Sequence, residues 1–156
     1  MSSPIHYREA TSGDVPEMAR CRLSDPAAGP ADQRMAAYLG GRHHPQQALA
    51  PRVACLARVD GAVVGYIAGH LTRRFGCDGE LQYLFVAPSY RGTEVAGELL
   101  RFLARWFTRQ GAVRICVNVE PSNAAARAFY ARHGATQLSA PWFVWSDIAV
   151  VHDGST

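Results

Sequence analysis

The chain has 156 residues, of which 48% are hydrophobic and 19% are charged, and its formal net charge is +3. This length predicts one domain that spans residues 1–156, and the composition excludes a disordered protein. No dense basic cluster, membrane-length apolar run or signal-peptide core is present, so we expect a cytoplasmic protein that binds neither nucleic acid nor membrane.

The N-terminal part of the chain predicts a strand followed by two helices. Apolar and polar residues alternate over 5–9, which is typical of a strand, and the polar stretch 11–14 can form a turn and a helix cap. A first helix is expected over 15–23. A second, short helix is expected over 31–39, because the glycine pair 40–41 follows it as a stop signal.

Two apolar runs with β-branched residues, 53–59 and 62–71, lie on either side of Asp60-Gly61. This dipeptide is typical of the two-residue turn of a hairpin. The two runs are therefore predicted to pair as antiparallel strands. A polar turn over 73–79 leads from the hairpin to the next strand.

The stretch 80–107 predicts the centre of the fold. Its nearly continuous apolar start indicates a strand buried on both faces, which ends at Ala87 because Pro88 cannot donate to a sheet ladder. A helix with one apolar face is expected to begin near Thr93 and to stop at Gly111. The apolar positions of that face are Val95, Leu99, Phe102, Leu103 and Trp106.

The C-terminal part predicts a strand, a helix and two more strands. The strand over 113–119 follows a helical crossover, so it should pair in parallel with the central strand. A helix over 124–132 should end at the glycine that follows it. The last predicted elements are strands over 136–139 and 142–151 and a frayed tail over 153–156. The complete order predicts an α/β fold with a mixed sheet.

The turn 89–93 predicts a candidate anion site. The first N–H groups of the helix that follows have no partner within the helix, and with the helix dipole they favour a phosphate. Arg91 adds a positive charge beside them. An ordinary crossover with a surface arginine explains the same residues, so this short motif alone leaves both explanations open.

Two segments resemble the GNAT N-acetyltransferase superfamily. Residues 84–97 are similar to its coenzyme A pyrophosphate loop, Arg/Gln-x-x-Gly-x-Gly/Ala, which Arg91, Val95 and Ala96 fit. Residues 118–135 are similar to its segment Asn-x-x-Ala-x-x-x-Tyr-x-x-x-Gly-Phe, with Ala135 in place of the aromatic residue. The order of elements also matches, which implies a GNAT-like mixed, mostly antiparallel sheet with a central parallel strand pair and flanking helices.

The resemblance implies acetyl-CoA as the acyl donor. The residues that would contact it are Phe85, Val86, Arg91, Gly92, Thr93, Glu94, Val95, Ala96, Gly97, Asn118, Asn123 and Tyr130. Phe85 and Val86 would act through their backbone, which in the family bonds the pantetheine amides. Asn123 precedes a helix, so it could contact the cofactor or cap the helix N-terminus. Asn118 could likewise contact the cofactor or have a structural role.

Glu94 departs from the family pattern, because it replaces a glycine that approaches the pyrophosphate. A carboxylate that faces the ligand would repel a phosphate, whereas one that points to solvent would be screened. Removal of this carboxylate, as in Glu94→Gly, is predicted to tighten acetyl-CoA binding.

Two residues are candidates for acid–base chemistry. Acetyl transfer to an amine needs a base for the nucleophile and a proton for the departing thiolate. The resemblance implies Glu80 as the general base and Tyr130 as the general acid. The alternative explanations are a solvated carboxylate at a strand edge and a tyrosine packed on the sheet.

The predicted function is acetyl transfer from acetyl-CoA to a primary amine of a small molecule, an amino acid, or a peptide or protein. One alternative is a catalytically weak GNAT-fold sensor that binds coenzyme A, suggested by Glu94. Another is an interaction module that oligomerises through Trp142, Phe143 and Trp145, although core burial explains these aromatic residues better. The acceptor is not identified, and a homodimer is left open.

The cysteines and histidines predict no metal site. Cys21, Cys55, Cys77 and Cys116 are widely spaced and form no Cys-x-x-Cys motif, so reduced and mostly buried thiols are expected. The pair His43-His44 lies in a polar segment near a proline, which is typical of a solvated loop.

Overall fold

The computed structural model describes residues 3–25, 37–45 and 47–152. Its strands are β1 (His6–Glu9), β2 (Ala48–Val59), β3 (Ala62–Thr72), β4 (Gly79–Val86), β5 (Ile115–Asn118), β6 (Thr136–Ser139) and β7 (Trp142–Trp145). Its helices are α1 (Val15–Arg22), α2 (Val95–Arg109), α3 (Ala124–Arg132) and α4 (Ala149–His152). The strands form one sheet in the order β1-β2-β3-β4-β5-β7-β6. Among the described strands β4 and β5 pair in parallel and every other pair is antiparallel, so the predicted mixed sheet is confirmed.

The β2–β3 hairpin forms where its turn residues predict it. Asp60 (φ 50°) and Gly61 (φ 81°) both have left-handed backbone, as a two-residue turn of the primed type requires. Strand β2 begins at Ala48 rather than at Val53, because Ala48 pairs with Thr72 beyond an irregularity in the register. Pairing with a distant strand therefore extends β2 past the end of its local apolar pattern.

Strand β4 and helix α2 form the predicted centre of the fold. The strand ends at Val86 and the helix begins at Val95, close to the expected boundaries. The helix packs its apolar face on β2, β3 and β4. Its large buried side chains are Val95, Leu99, Leu100, Leu103, Trp106 and Phe107. Each contributes about 1.5–3 kcal/mol to the free energy of unfolding, so this face anchors the start of α2 beside the end of β4.

The predicted strand over 142–151 is wrong in its second half, because Ala149–His152 form helix α4 after β7. Asp147 Oδ1 accepts a hydrogen bond at 3.0 Å from the first N–H of this helix. Ile148 and Val151 are buried in the core that contains α2. Their spacing of three residues suits a helical face, and the aspartate cap decides between helix and strand.

The other expected elements agree with the structure within a few residues. The stop signals Gly111 (φ 79°) and Gly134 (φ 98°) both have left-handed backbone. Of the second predicted helix, residues 37–39 are described and are helical, while 31–36 and the tail over 153–156 lie outside the described residues. Within the described ranges, no helix has the length and apolar character needed to cross a membrane.

Candidate active site

The parallel strands β4 and β5 separate soon after they meet. Their pairing joins Gly79–Leu81 to Ile115–Val117 and does not continue along the rest of β4. On its other edge β4 stays paired with β3, where a bulge makes Gln82 an extra residue between the partners of Ala68 and Gly69. A bulge bends and twists its strand, so β4 turns away from β5 at this point and a cleft opens between them.

The cleft between the separated strands has a volume of about 220 Å³. The predicted cofactor residues that line it are Phe85, Asn118, Asn123 and Tyr130. The edge of β4 that faces the cleft is not paired with β5, so its backbone N–H and C=O groups can bond a ligand. Arg22, Gln82 and Glu120 add polar side chains to the wall.

A groove of about 380 Å³ continues from the cleft toward the start of α2. The cleft and the groove share Leu84, Ala126 and Tyr130. The predicted cofactor residues that line the groove are Val86, Arg91, Gly92, Ala96 and Tyr130. Mostly apolar walls that lead to a helix N-terminus fit a long ligand with an apolar arm and an anionic group.

The loop before α2 is a tight turn closed by a side-chain cap. Gly92 has a φ of 73°, a backbone conformation that glycine adopts without strain. The Thr93 hydroxyl accepts a hydrogen bond from the Val95 N–H at 3.4 Å and donates one to a carbonyl three residues before it. Val95 and Gly97 are buried and line neither the cleft nor the groove, so they support the loop from behind.

Arg91 is held by contacts within the protein. Its Nε donates to the Val86 carbonyl at 2.9 Å, and its Nη2 donates to Asp25 Oδ2 at 2.5 Å. The guanidinium also lies 5.6 Å from the centre of the Phe85 ring. Arg91 therefore fixes the loop against β4, and the nearby carboxylate offsets much of the charge that it presents to the groove.

Glu94 lies on another side of this loop. Its side chain is exposed and lines a separate pocket together with Ser3, Asp60 and Thr93, and it lines neither the cleft nor the groove. Solvent screens an exposed charge from groups beyond about 10 Å. Of the two orientations that the sequence left open, the geometry favours the one that points away from the groove.

Glu80 is only 5% exposed and belongs to a buried polar network. Its Oε1 accepts a hydrogen bond from Arg74 Nε at 3.3 Å and lies 3.7 Å from Nε2 of the fully buried His70. His70 Nδ1 in turn lies 2.8 Å from the hydroxyl of Tyr38. Glu80 is therefore not a solvated carboxylate at a strand edge, and it lines neither cavity, although the next residues of β4 line the cleft.

Tyr130 lies where the cleft meets the groove and is 6% exposed. Burial raises the pKa of its phenol well above its ordinary value, so the hydroxyl keeps its proton near neutral pH. The ring packs edge to face on Trp145, with 5.6 Å between the ring centres. Tyr130 thus packs on the sheet and also lines both cavities.

The two asparagines lie on the β5 side of the cleft. Asn123 Oδ1 accepts a hydrogen bond from the Ala126 N–H at 3.0 Å, so the N-cap alternative is confirmed. The amide NH₂ group of Asn123 can still donate to a ligand in the cleft. Asn118 is exposed at the end of β5, where its backbone pairs with β7 and its side chain borders the cleft.

A family model described as the acetyltransferase (GNAT) family matches residues 20–135. This match runs from α1 to the residue before β6, so it includes every strand and helix that forms the cleft and the groove. The chain belongs to the GNAT family.

Three relatives illustrate the similarity. An uncharacterized N-acetyltransferase of Mycobacterium tuberculosis is 39% identical over 85 residues, which cover 54% of this chain and 53% of that protein. An aminoglycoside N(6')-acetyltransferase type 1 of Salmonella typhimurium is 30% identical over 74 residues, which cover 44% of this chain and 51% of that protein. The crystal structure of PaiA N-acetyltransferase from Thermoplasma acidophilum, in complex with coenzyme A, aligns with 90% of this chain and 96% of its own, with a TM-score of 0.66 and 16% identity.

These similarities differ in what they show. The chain spans about half the length of the curated relatives that it matches, so their activities belong to longer proteins. The likeness to the solved structure shows the fold, because its identity is low. Membership in the GNAT family rests on the family match over most of the chain.

Several residues around the site of this GNAT chain were not predicted from the sequence. Gln82 Oε1 is buried in the cleft and has no hydrogen-bond partner within the described part of the chain. Glu120 adds a carboxylate to the cleft, and Arg132 lines the groove. Gln82 and His70 could have been found from the sequence, because each is a polar residue inside an apolar strand. The role of Tyr38 could not, because its hydrogen-bond partner His70 lies far along the chain.

The described residues include no cluster of metal ligands and no exposed cysteine. No group of three or more His, Cys, Asp or Glu residues that could hold a metal ion occurs among the described residues. The four cysteines are buried, as their spacing predicted. Burial raises the pKa of Cys21 to about 11 and that of Cys55 to about 12, which leaves both as weakly nucleophilic thiols near neutral pH.

Proposed function

We propose that this chain is an acetyl-CoA-dependent N-acetyltransferase that acts on a primary amine of a small molecule, an amino acid, or a peptide or protein. The observation that carries the proposal is the cleft between β4 and β5, which continues as a groove to the N-terminus of α2. Membership in the GNAT family supports the donor and the type of reaction. The acceptor stays open among these amines.

In this proposal the groove holds the coenzyme arm. Its apolar walls contact the pantetheine chain, and the unpaired backbone of β4 near Phe85 and Val86 bonds the amides of that chain. The start of α2, reached across Gly92, faces the pyrophosphate with its N–H groups. Arg132 lines the same groove and adds a cation to it. The thioester then lies at the junction of groove and cleft, next to Tyr130.

The acceptor amine reaches the thioester from the cleft. Its nitrogen attacks the thioester carbon, the carbonyl oxygen gains negative charge, and backbone N–H groups of β4 stabilise that charge. The C–S bond then breaks, and Tyr130 protonates the departing thiolate. Glu80 takes the proton that the amine loses, and it does so through a water molecule because it lines neither cavity.

The two alternatives have less support from the geometry. The sensor rested on repulsion between Glu94 and the pyrophosphate, and Glu94 lies outside both cavities. The interaction module rested on the aromatic residues of β7, but Phe143 and Trp145 are buried and β7 lies between β5 and β6. A cytoplasmic location and a homodimer stay predictions.

Thermal unfolding and calorimetry with acetyl-CoA test the proposed donor. A ligand that binds only the folded state raises the melting temperature by mass action. Ala126→Leu fills the junction of cleft and groove, whereas Ala131→Leu adds the same volume on the exposed face of α3. We expect acetyl-CoA to stabilise the wild type and Ala131→Leu but not Ala126→Leu. Millimolar acetyl-CoA without effect on the wild type rejects the proposal.

Turnover separates the enzyme from a sensor. Release of the coenzyme A thiol is measured with a panel of amines that includes lysine, spermidine and short peptides. We expect release that depends on at least one amine. Tight acetyl-CoA binding without release over the whole panel favours the sensor.

A further inference from the structure

His70 of β3 is fully buried, and polar groups face both nitrogens of its ring. Nδ1 lies 2.8 Å from the Tyr38 hydroxyl, and Nε2 lies 3.7 Å from Glu80 Oε1. Within the described residues Nε2 has no hydrogen-bond partner at normal distance. A buried polar atom without a partner is unfavourable, so this nitrogen calls for an explanation beyond packing.

The surroundings decide which nitrogen carries the proton. In a neutral ring one nitrogen donates and the other accepts. An unprotonated Nε2 turns a lone pair toward the carboxylate of Glu80, whereas a protonated Nε2 turns an N–H toward it. The second arrangement is favourable, and it makes Nδ1 the acceptor and the Tyr38 hydroxyl the donor. Burial raises the pKa of the Tyr38 phenol, so that hydroxyl retains the proton it donates.

Neighbouring groups hold both ends of this network. Arg74, which donates to Glu80 Oε1, also lies over the Trp142 ring at 4.8 Å from its centre. The guanidinium of Arg52 lies over the Tyr38 ring at 4.5 Å from its centre. The Arg74 Nε hydrogen bond and the approach of His70 Nε2 both fall on Oε1 of the Glu80 carboxylate.

We propose that His70, oriented by Tyr38, is a positioning residue for Glu80. The inference rests on the proposed acetyl transfer, in which Glu80 accepts the proton of the amine. A shift of about 0.8 Å brings Nε2–H within hydrogen-bond distance of Oε1 and fixes the rotamer of Glu80. The network adjoins the cleft through Tyr83, which lines the cleft and packs on the Tyr38 ring at 5.2 Å between ring centres.

The tautomer of His70 is read by long-range proton–nitrogen NMR on the full chain. The signal is assigned by its loss in His70→Gln. We expect the proton on Nε2 in the wild type, a mixture of tautomers in Tyr38→Phe, and a displaced Nε2 signal in Glu80→Gln. Tyr7→Phe is the matched control, because its buried hydroxyl has no partner among the described residues, and it leaves the signal unchanged. A proton on Nδ1 in the wild type overturns the proposal.

Kinetics separate positioning from structural support. With lysine, spermidine and short peptides as probe acceptors, we expect Tyr38→Phe to lower kcat about tenfold while the KM for acetyl-CoA changes less than about twofold. An unchanged kcat together with the altered tautomer overturns the positioning role. If the wild type binds no acetyl-CoA, the proposed function is rejected. The NMR experiment still decides the tautomer of His70 in that case, because it needs no ligand.

Discussion

Arg91 Nη2 donates a hydrogen bond to Asp25 Oδ2 at 2.5 Å and so joins the loop before α2 to the segment after α1. The Asp25 side chain is 11% exposed, whereas about half of the Arg91 side chain is exposed. The Nε of Arg91 adds a bond to the Val86 carbonyl. The arginine of this loop therefore has a structural role before any ligand binds.

Arg91→Gln is expected to lower the free energy of unfolding by about 1 kcal/mol. The variant loses a charge-assisted hydrogen bond and a bond to a backbone carbonyl, and the exposure of the guanidinium reduces the effect. Arg105→Gln removes the same charge from an exposed position on α2 and is the control. Urea denaturation measures both, and equal changes in stability would contradict the structural role of Arg91.

Glu94→Gln is expected to change acetyl-CoA affinity less than about twofold, because its carboxylate lies outside the groove and is screened by solvent. Glu94→Gly is expected to change the affinity for acetyl-CoA as little as Glu94→Gln does. The helix begins at Val95, so position 94 is the cap, where glycine changes stability by only a few tenths of a kcal/mol. Calorimetric titrations at low and high salt check both variants. Tighter binding by both at low salt would show that the carboxylate reaches the ligand.

Tyr130→Phe is expected to lower kcat about 100-fold and to leave acetyl-CoA affinity largely intact, because it removes the proton for the thiolate but keeps the ring. Since burial raises the pKa of this phenol, its ionisation should not reduce the rate up to about pH 10. Tyr90→Phe, in a half-buried tyrosine outside both cavities, is the control. Steady-state kinetics, with an amine that the wild type acetylates, measure both variants. An unchanged kcat for Tyr130→Phe would show that Tyr130 only packs on the sheet.

Asp14→Asn is expected to destabilise the fold by about 1 kcal/mol at pH 7 and by much less near pH 2. Hydrogen bonds from Arg8, at 2.8 Å to both oxygens, and from the Thr11 N–H hold the pKa of Asp14 well below its usual range. A depressed pKa stabilises the folded state above the unfolded value of about 3.9, and the contribution is lost progressively as the pH falls from that value through the lower pKa of the folded state.

Urea denaturation of wild type and Asp14→Asn over this pH range measures the effect. Glu9→Gln removes a carboxylate from an exposed position in β1 and is the control. A difference between wild type and Asp14→Asn that does not change with pH would mean that the geometry of the turn matters more than the charge.

Local chemistry alone determined most elements of this protein. Asp60-Gly61 specified the hairpin because both residues tolerate left-handed backbone, and the apolar face of α2 specified a helix that crosses from β4 to a parallel β5. The loop around Arg91 and the segment around Tyr130 resemble two GNAT motifs, and each of these motifs is also a short, continuous stretch of sequence. Turn chemistry and hydrophobic periodicity depend on residues that are close in the chain.

Only the tertiary structure decided how the site is built. The cleft exists because a bulge at Gln82 turns β4 away from β5, and register between distant strands is not encoded in either strand alone. Glu80 is buried beside His70, which itself lies against Tyr38, and these three residues come from separate parts of the chain. The direction of a side chain such as Glu94, and the partner of a buried polar atom, depend on contacts between residues that are far apart in sequence, and folding alone brings these together.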